Sequence, residues 1–258
     1  MRIRILALAG TAAVLLSACS HGGEADAEAS VSTSSTAGSS TSAPGSVAPG
    51  SDANGSVANG EAARTGQQVA ADAADALETA GSVHLTTTGS ADGTTPQMDL
   101  QVQGDEVAGT VSSNGLTMQY VRTGGQSYAR ASADFWQQNG APEATARRLD
   151  GAWVAVPGSV GGAVDEFGLS RLADTLRTPA DATYDEQVTT GTVEGVDVVD
   201  VDESDGSTLT VAATGVPYPL RQVTGGADAA TLTYDGFGTR QTITAPPGAL
   251  PLGQLTGG

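Results

Sequence analysis

The only cysteine of this 258-residue chain, Cys19, closes the run Leu16-Ser17-Ala18-Cys19. A thiol behind a leucine and two small residues, at the end of a short apolar stretch, is the acceptor arrangement of a lipobox. There a diacylglyceryl group is transferred to sulfur and the preceding peptide is removed. Arg2 and Arg4 give a basic start, Ile5 to Leu16 an apolar core, and Ser17 and Ala18 the small residues of a secretory signal. The apolar stretch is shorter than the roughly 20 residues that cross a bilayer. Two acyl chains, of the palmitate kind, anchor a protein stably where one holds it only marginally. The expected address is therefore the outer, extracytoplasmic face of the cell membrane, with Cys19 as the anchor. The alternative is an ordinary signal peptide cut near Ala18. It would leave an unpaired thiol in an exported protein, a liability that lipidation removes.

The remaining residue types supply little for catalysis. There are two histidines: His21 falls in a polar stretch, and His84 on the polar face of an expected strand. A lone strand histidine is more often a surface residue than a catalyst. No Gly-x-Ser-x-Gly elbow, no His/Cys cluster and no phosphate loop occurs. Asp200, Asp202, Glu203 and Asp205 before Gly206 resemble a calcium loop. Val211 stands where the closing glutamate would be, and strands flank the loop instead of helices, so an acidic hairpin tip is expected. No catalytic residue, cofactor or metal is assigned. Arg147, Arg148, Arg171 and Arg177 lie in or near expected helices. They either offset acidic neighbours and helix C-termini or ring a cavity mouth and meet an anionic headgroup.

The formal charge of −18 becomes −20 once Arg2 and Arg4 leave with residues 1–18. All 11 basic residues are arginine. So acidic a chain has no general basic surface for nucleic acid. From 20 to 64 there is no Leu, Ile, Met or aromatic residue. Such a segment cannot bury enough apolar surface to offset its ordering entropy. Residues 19–64 are thus expected to be the lipidated cysteine and a tether spanning roughly 35–40 Å if it behaves as a Gly/Ser coil. Residues 65–247 are expected to form one domain and 248–258 a loose tail.

Within the domain, Val69, Ala73, Ala76, Leu77 and Ala80 recur at helical spacing, and Gly81 ends the helix. The period then changes to two at Val83 and Leu85 and at Met98, Leu100 and Val102. Asn114-Gly115 and Gly124-Gly125 mark hairpin turns. Asp134 to Arg148 reads as helix interrupted at Asn139-Gly140. Trp153 to Val156 reads as extended, and Ser170 to Arg177 as helical. A second meander is expected near 183–190, 195–203, 207–213, 218–224, 230–235 and 239–244. Antiparallel strands with helices gathered on one side make an α+β layered fold.

Tyr128 to Trp136, Leu149 to Pro157, Val193 to Val199, Gly215 to Arg221 and Leu232 to Gly238 together resemble the actinobacterial lipoproteins of the LolA-like, LppX/LprAFG-like group, over about 65 to 247. That resemblance implies a curved antiparallel half-barrel of about ten or eleven strands, with helices on its concave face. It also implies a lipid or lipoprotein ligand whose acyl chains lie between sheet and helices. Candidate lining residues are Met98, Leu100, Leu116, Met118, Tyr120, Phe135, Trp136, Leu172, Leu176, Leu209, Val211 and Leu232. If the two layers meet fully, the same residues are only a core. The expected activity is binding or transfer of lipid acyl chains without catalysis. The alternatives are a closed structural or regulatory lipoprotein that binds another protein, and an enzyme built on facing carboxylates.

Overall fold

Helix α1 (Gly66–Ala80) begins at a reciprocal cap. The Thr65 hydroxyl accepts from Gln68 N, and the Gln68 side chain accepts from Thr65 N. It ends at Gly81, whose φ of 71° a side chain would resist. The computed structural model describes residues 57–88, 96–156, 167–226 and 229–251. Cys19, the signal segment 1–18, the tether up to 56 and the tail from 252 lie outside the described residues.

After α1 come β1 (Val83–Thr88), β2 (Gln97–Gln103), β3 (Glu106–Ser113), β4 (Leu116–Thr123) and β5 (Gln126–Ala131). Helices α2 (Ala133–Gln138) and α3 (Glu143–Leu149) interrupt the strands before β6 (Trp153–Val156). Helix α4 (Leu169–Arg177) precedes β7 (Thr189–Val193), β8 (Val196–Asp202), β9 (Thr208–Ala212), β10 (Pro219–Val223), β11 (Thr231–Asp235) and β12 (Leu250–Pro251). The strands form one open, curved sheet in the order β12-β6-β5-β4-β3-β2-β1-β11-β10-β9-β8-β7. Every pairing is antiparallel except β12 with β6. The α+β reading therefore holds, with twelve strands among the described residues where ten or eleven were expected.

Two expected strands differ. No strand forms over 239–244. There the chain crosses the face of β2 that points away from the helices, held by side-chain amides. Gln103 Nε2 donates to Gln241 O at 2.8 Å, Gln241 N donates to Gln103 Oε1 at 2.6 Å, and Gln101 Nε2 donates to Thr239 O at 3.1 Å. Those bonds replace a ladder and explain how two glutamines are buried on a strand. In the stretch 183–190, only Tyr184, in an isolated bridge to Glu203, and the first residues of β7 pair. Ahead of α1, Ala58 bridges Thr214, Asn59 Nδ2 donates to Ala212 O at 2.8 Å, and Glu61 is buried. Ordered contacts thus reach back to residues assigned to the tether from sequence.

The helices share one side of the sheet. Helix α1 packs on α4 and on β8, β9 and β10, and α2 packs on α3 and β4. One apolar cluster joins them to the sheet through Leu85, Leu100, Tyr120, Val154, Val199 and Val211.

Candidate functional site

Strand pairing sorts the helix-facing side chains into rows that run across the sheet. Directly opposed residues share a face. In one row Tyr234, Leu85, Leu100, Gly109, Tyr120, Ala129 and Val154 follow one another from β11 to β6. Apart from Gly109 this row is closed: Leu85, Leu100, Tyr120 and Val154 keep no surface that a water-sized sphere can reach. The Tyr120 hydroxyl is satisfied there by Ser127 Oγ at 2.9 Å.

The next row toward the hairpin tips is different. Leu232 opposes Thr87, Met98 N donates to Thr87 Oγ1 at 2.7 Å, and Met98 opposes Val111, which opposes Met118. Leu232, Met98 and Val111 are only half-buried. Helix α2 of the α2–α3 hairpin packs on β4, the strand that carries Met118 of this row, and Ala133, Phe135 and Ala141 of the hairpin are packed on the core and still partly accessible. Phe135 and Trp136 meet edge to face, with ring centroids 5.4 Å apart.

The ends of that helical hairpin are pinned beside each other. Ala133 N donates to Asp150 Oδ1 at 2.9 Å, Gly151 N to Ala131 O at 3.0 Å, and Arg130 Nε to Gly151 O at 2.8 Å. Ser132 caps α2 by accepting from Phe135 N. The hairpin is thus an insertion between β5 and β6, joined to the sheet at one base.

All the lining residues expected from sequence except Leu116 fall in or against one apolar cluster. Leu100, Tyr120, Leu209, Val211 and Leu176 are in its closed part, with Met118, Trp136 and Leu172 nearly so. Met98, Phe135 and Leu232 are at its accessible margin. Leu116 lies beside the Asn114-Gly115 turn, one row beyond Met118, and is not part of the cluster. Val111 belongs to the margin and was missed. Its period-two spacing from Val107 on β3 was the available signal.

The arginines do not converge on one mouth. Arg177 Nη2 bonds Asp75 Oδ1 at 2.6 Å and the Glu78 carboxylate, both on α1. These carboxylates hold its guanidinium well above its usual basicity. Arg147 pairs with Glu143 on its own helix. Arg171, about 9 Å along α4 from Arg177, lines a recess of about 290 Å³ with Asp105, Arg122, Gly168 and Ser170.

The acidic run around 200–205 splits between the two faces of the sheet. Asp200 and Asp202 accept from Thr210 and Thr208 hydroxyls at 2.6 and 2.8 Å. Asp205 accepts from Ser207 N, which holds its carboxyl below the usual range. Glu203 is buried, and desolvation with repulsion from Asp205 pushes its carboxyl up. Among the described residues no three His, Cys, Asp or Glu side chains are placed to hold a metal ion. Among them, too, no helix is long and apolar enough to cross a membrane.

No family model and no curated protein sequence matches the chain. Among solved structures, LprF from Mycobacterium bovis has a TM-score of 0.49 and 16% identity, over 71% of this chain and 97% of that one. The lipoprotein LppX of Mycobacterium tuberculosis has a TM-score of 0.45 and 14% identity, over 69% of this chain and 98% of that one. Both names belong to the lipoprotein group that the sequence motifs resemble.

Proposed function

We propose that this chain is a lipoprotein of the cell envelope, anchored outside the membrane through Cys19, that takes up lipid acyl chains between its sheet and the α2–α3 hairpin. It acts by partition and performs no catalysis. The observation that carries the reading is the accessible apolar margin of Leu232, Met98 and Val111 on the sheet, together with partly accessible Phe135 on a helical hairpin attached at one base. Each methylene moved from water into such a site contributes about 0.8 kcal/mol, so a margin extended by hairpin opening holds a chain without any covalent step. The tether lets the domain reach back to the bilayer while the anchor keeps it there.

The test is to express the full chain in an actinobacterial host and examine the purified protein by native mass spectrometry with lipid extraction. A defined lipid near one per protein is expected. An empty protein that stays empty after incubation with host membrane lipids would reject the reading. A second reading would then stand, in which the domain is a closed structural lipoprotein that binds another protein. The full burial of Leu100, Tyr120, Leu209 and Val211 is the observation that favours it.

A further inference from the structure

Trp136 carries a buried donor that meets no acceptor among the described residues. Its side chain is 4% exposed, and Nε1 is buried with no hydrogen-bond partner among the described residues. An indole can be buried cheaply only when its N–H finds an acceptor, because an unmet donor forfeits its hydration. The buried tyrosine hydroxyls of this core obey that rule, with Tyr234 donating to Gln222 Oε1 at 3.4 Å. Tyr120 meets Ser127 at 2.9 Å, and Tyr184 donates to Leu176 O at 2.7 Å. Helix α2 offers nothing to Nε1. Trp136 N is bonded to Ser132 O, and Trp136 O accepts from Ala141 N, so the backbone around it is already engaged.

The position of this donor matters as much as its isolation. Trp136 stands beside Phe135 on α2, which packs on β4, the strand whose Met118 opposes Val111 of the accessible row. The other polar groups on aromatic rings of that cluster, the hydroxyls of Tyr120, Tyr184 and Tyr234, are each already bonded within the protein. A ligand that is hydrocarbon along most of its length, with one oxygen acceptor at the end of the hydrocarbon, would match both properties at once.

We propose that Trp136 Nε1–H donates to the carbonyl oxygen of a bound acyl group, and so sets both the depth of the chain and a preference for acyl over alkyl lipids. The ligand class is a carbonyl-bearing acyl chain, esterified or free. This rests on the acyl-binding reading above.

Four probes separate the cases with the full chain carrying Cys19→Ser, which removes any covalent acyl competitor. They are dipalmitoylphosphatidylglycerol, its dihexadecyl ether analogue, palmitate and hexadecanol. Wild-type Trp136 is expected to favour the ester over the ether, or palmitate over hexadecanol, by about three- to tenfold, the worth of one hydrogen bond. Whichever pair shows the preference identifies the source of the carbonyl. Trp136→Phe should bind both members of that pair equally. Because phenylalanine is smaller, benzothienylalanine at position 136 keeps the ring volume while removing the N–H, and it should behave as Trp136→Phe does. In the wild-type protein, the indole N–H resonance should move downfield with the carbonyl-bearing probe and stay in place with its partner.

If ester and ether, and acid and alcohol, bind equally to the wild type, or if the preference survives in both variants, the proposal is overturned while acyl binding stands. If no probe binds, the acyl-binding reading fails and this inference with it.

Discussion

Leu100 and Met98 stand two residues apart on β2 with their side chains on the same face, yet Leu100 is fully buried and Met98 keeps accessible surface. The boundary between core and site therefore runs between them. Leu100→Ala removes buried hydrocarbon from a closed row and should lower stability by about 2–5 kcal/mol. Met98→Ala should cost less, about 1–2 kcal/mol, because part of the side chain already meets solvent. Met98→Trp should do the opposite of a cavity. It fills the margin, leaves the melting temperature near that of the wild type, and weakens acyl binding about tenfold by displacing two methylenes. Urea denaturation and lipid titration of the three variants check this. Equal loss of stability in Leu100→Ala and Met98→Ala would remove the boundary.

His84 joins three strands on the opposite face. Its Nδ1 lies 2.8 Å from Asp235 Oδ1 on β11, and its Nε2 lies 3.0 Å from Asp99 Oδ1 on β2. Ionised carboxylates only accept, so both ring nitrogens must donate to satisfy them, which requires the imidazolium. Burial opposes that charge, but bonds to Asp99 and Asp235 outweigh it, and the pKa is raised above 6.5. A raised folded pKa contributes stability that is complete below the unfolded value of 6.5 and fades as pH rises through the folded value. For so exposed a cluster the contribution is at most about 1 kcal/mol. Denaturation midpoints of the wild type should fall between pH 6 and pH 9, and His84→Gln should flatten that slope. A midpoint profile parallel in the two proteins would show that the bridge contributes nothing.

What the sequence disclosed depends on the range of the interaction concerned. Helices α1 and α4 were legible because their apolar residues repeat within a few positions and Gly81 ends the first. The hairpins at Asn114-Gly115 and Gly124-Gly125 were legible because the turn chemistry is local. All four residues have positive φ, as a two-residue type I′ turn requires. Residues 239–244 read as a strand because alternation cannot tell a ladder from a segment held by Gln101 and Gln103, about 138 positions away in the chain. Alternation likewise places Met98 and Leu100 on one face but carries no information on depth, which the helices set. The isolated indole of Trp136 depends on everything packed around it, and no residue pattern announces it.

Arg177 reaches from the last turn of α4 to Asp75 and Glu78 on α1, and to Asp174 on its own helix. It ties α4 to α1, the helix that packs on β8, β9 and β10; the sequence favoured an offset of acidic neighbours, with a lipid headgroup as the alternative. A tie between helices and a headgroup contact respond differently to substitution. Arg177→Glu places a fourth acid among three and should lower the denaturation midpoint, more at low salt than at high salt. Arg177→Gln should cost under about 1 kcal/mol, since these groups remain largely in solvent. Neither change should alter the affinity for dipalmitoylphosphatidylglycerol relative to its uncharged diacylglycerol counterpart. A selective loss of the phospholipid in Arg177→Gln, with unchanged stability, would make the residue a headgroup contact after all.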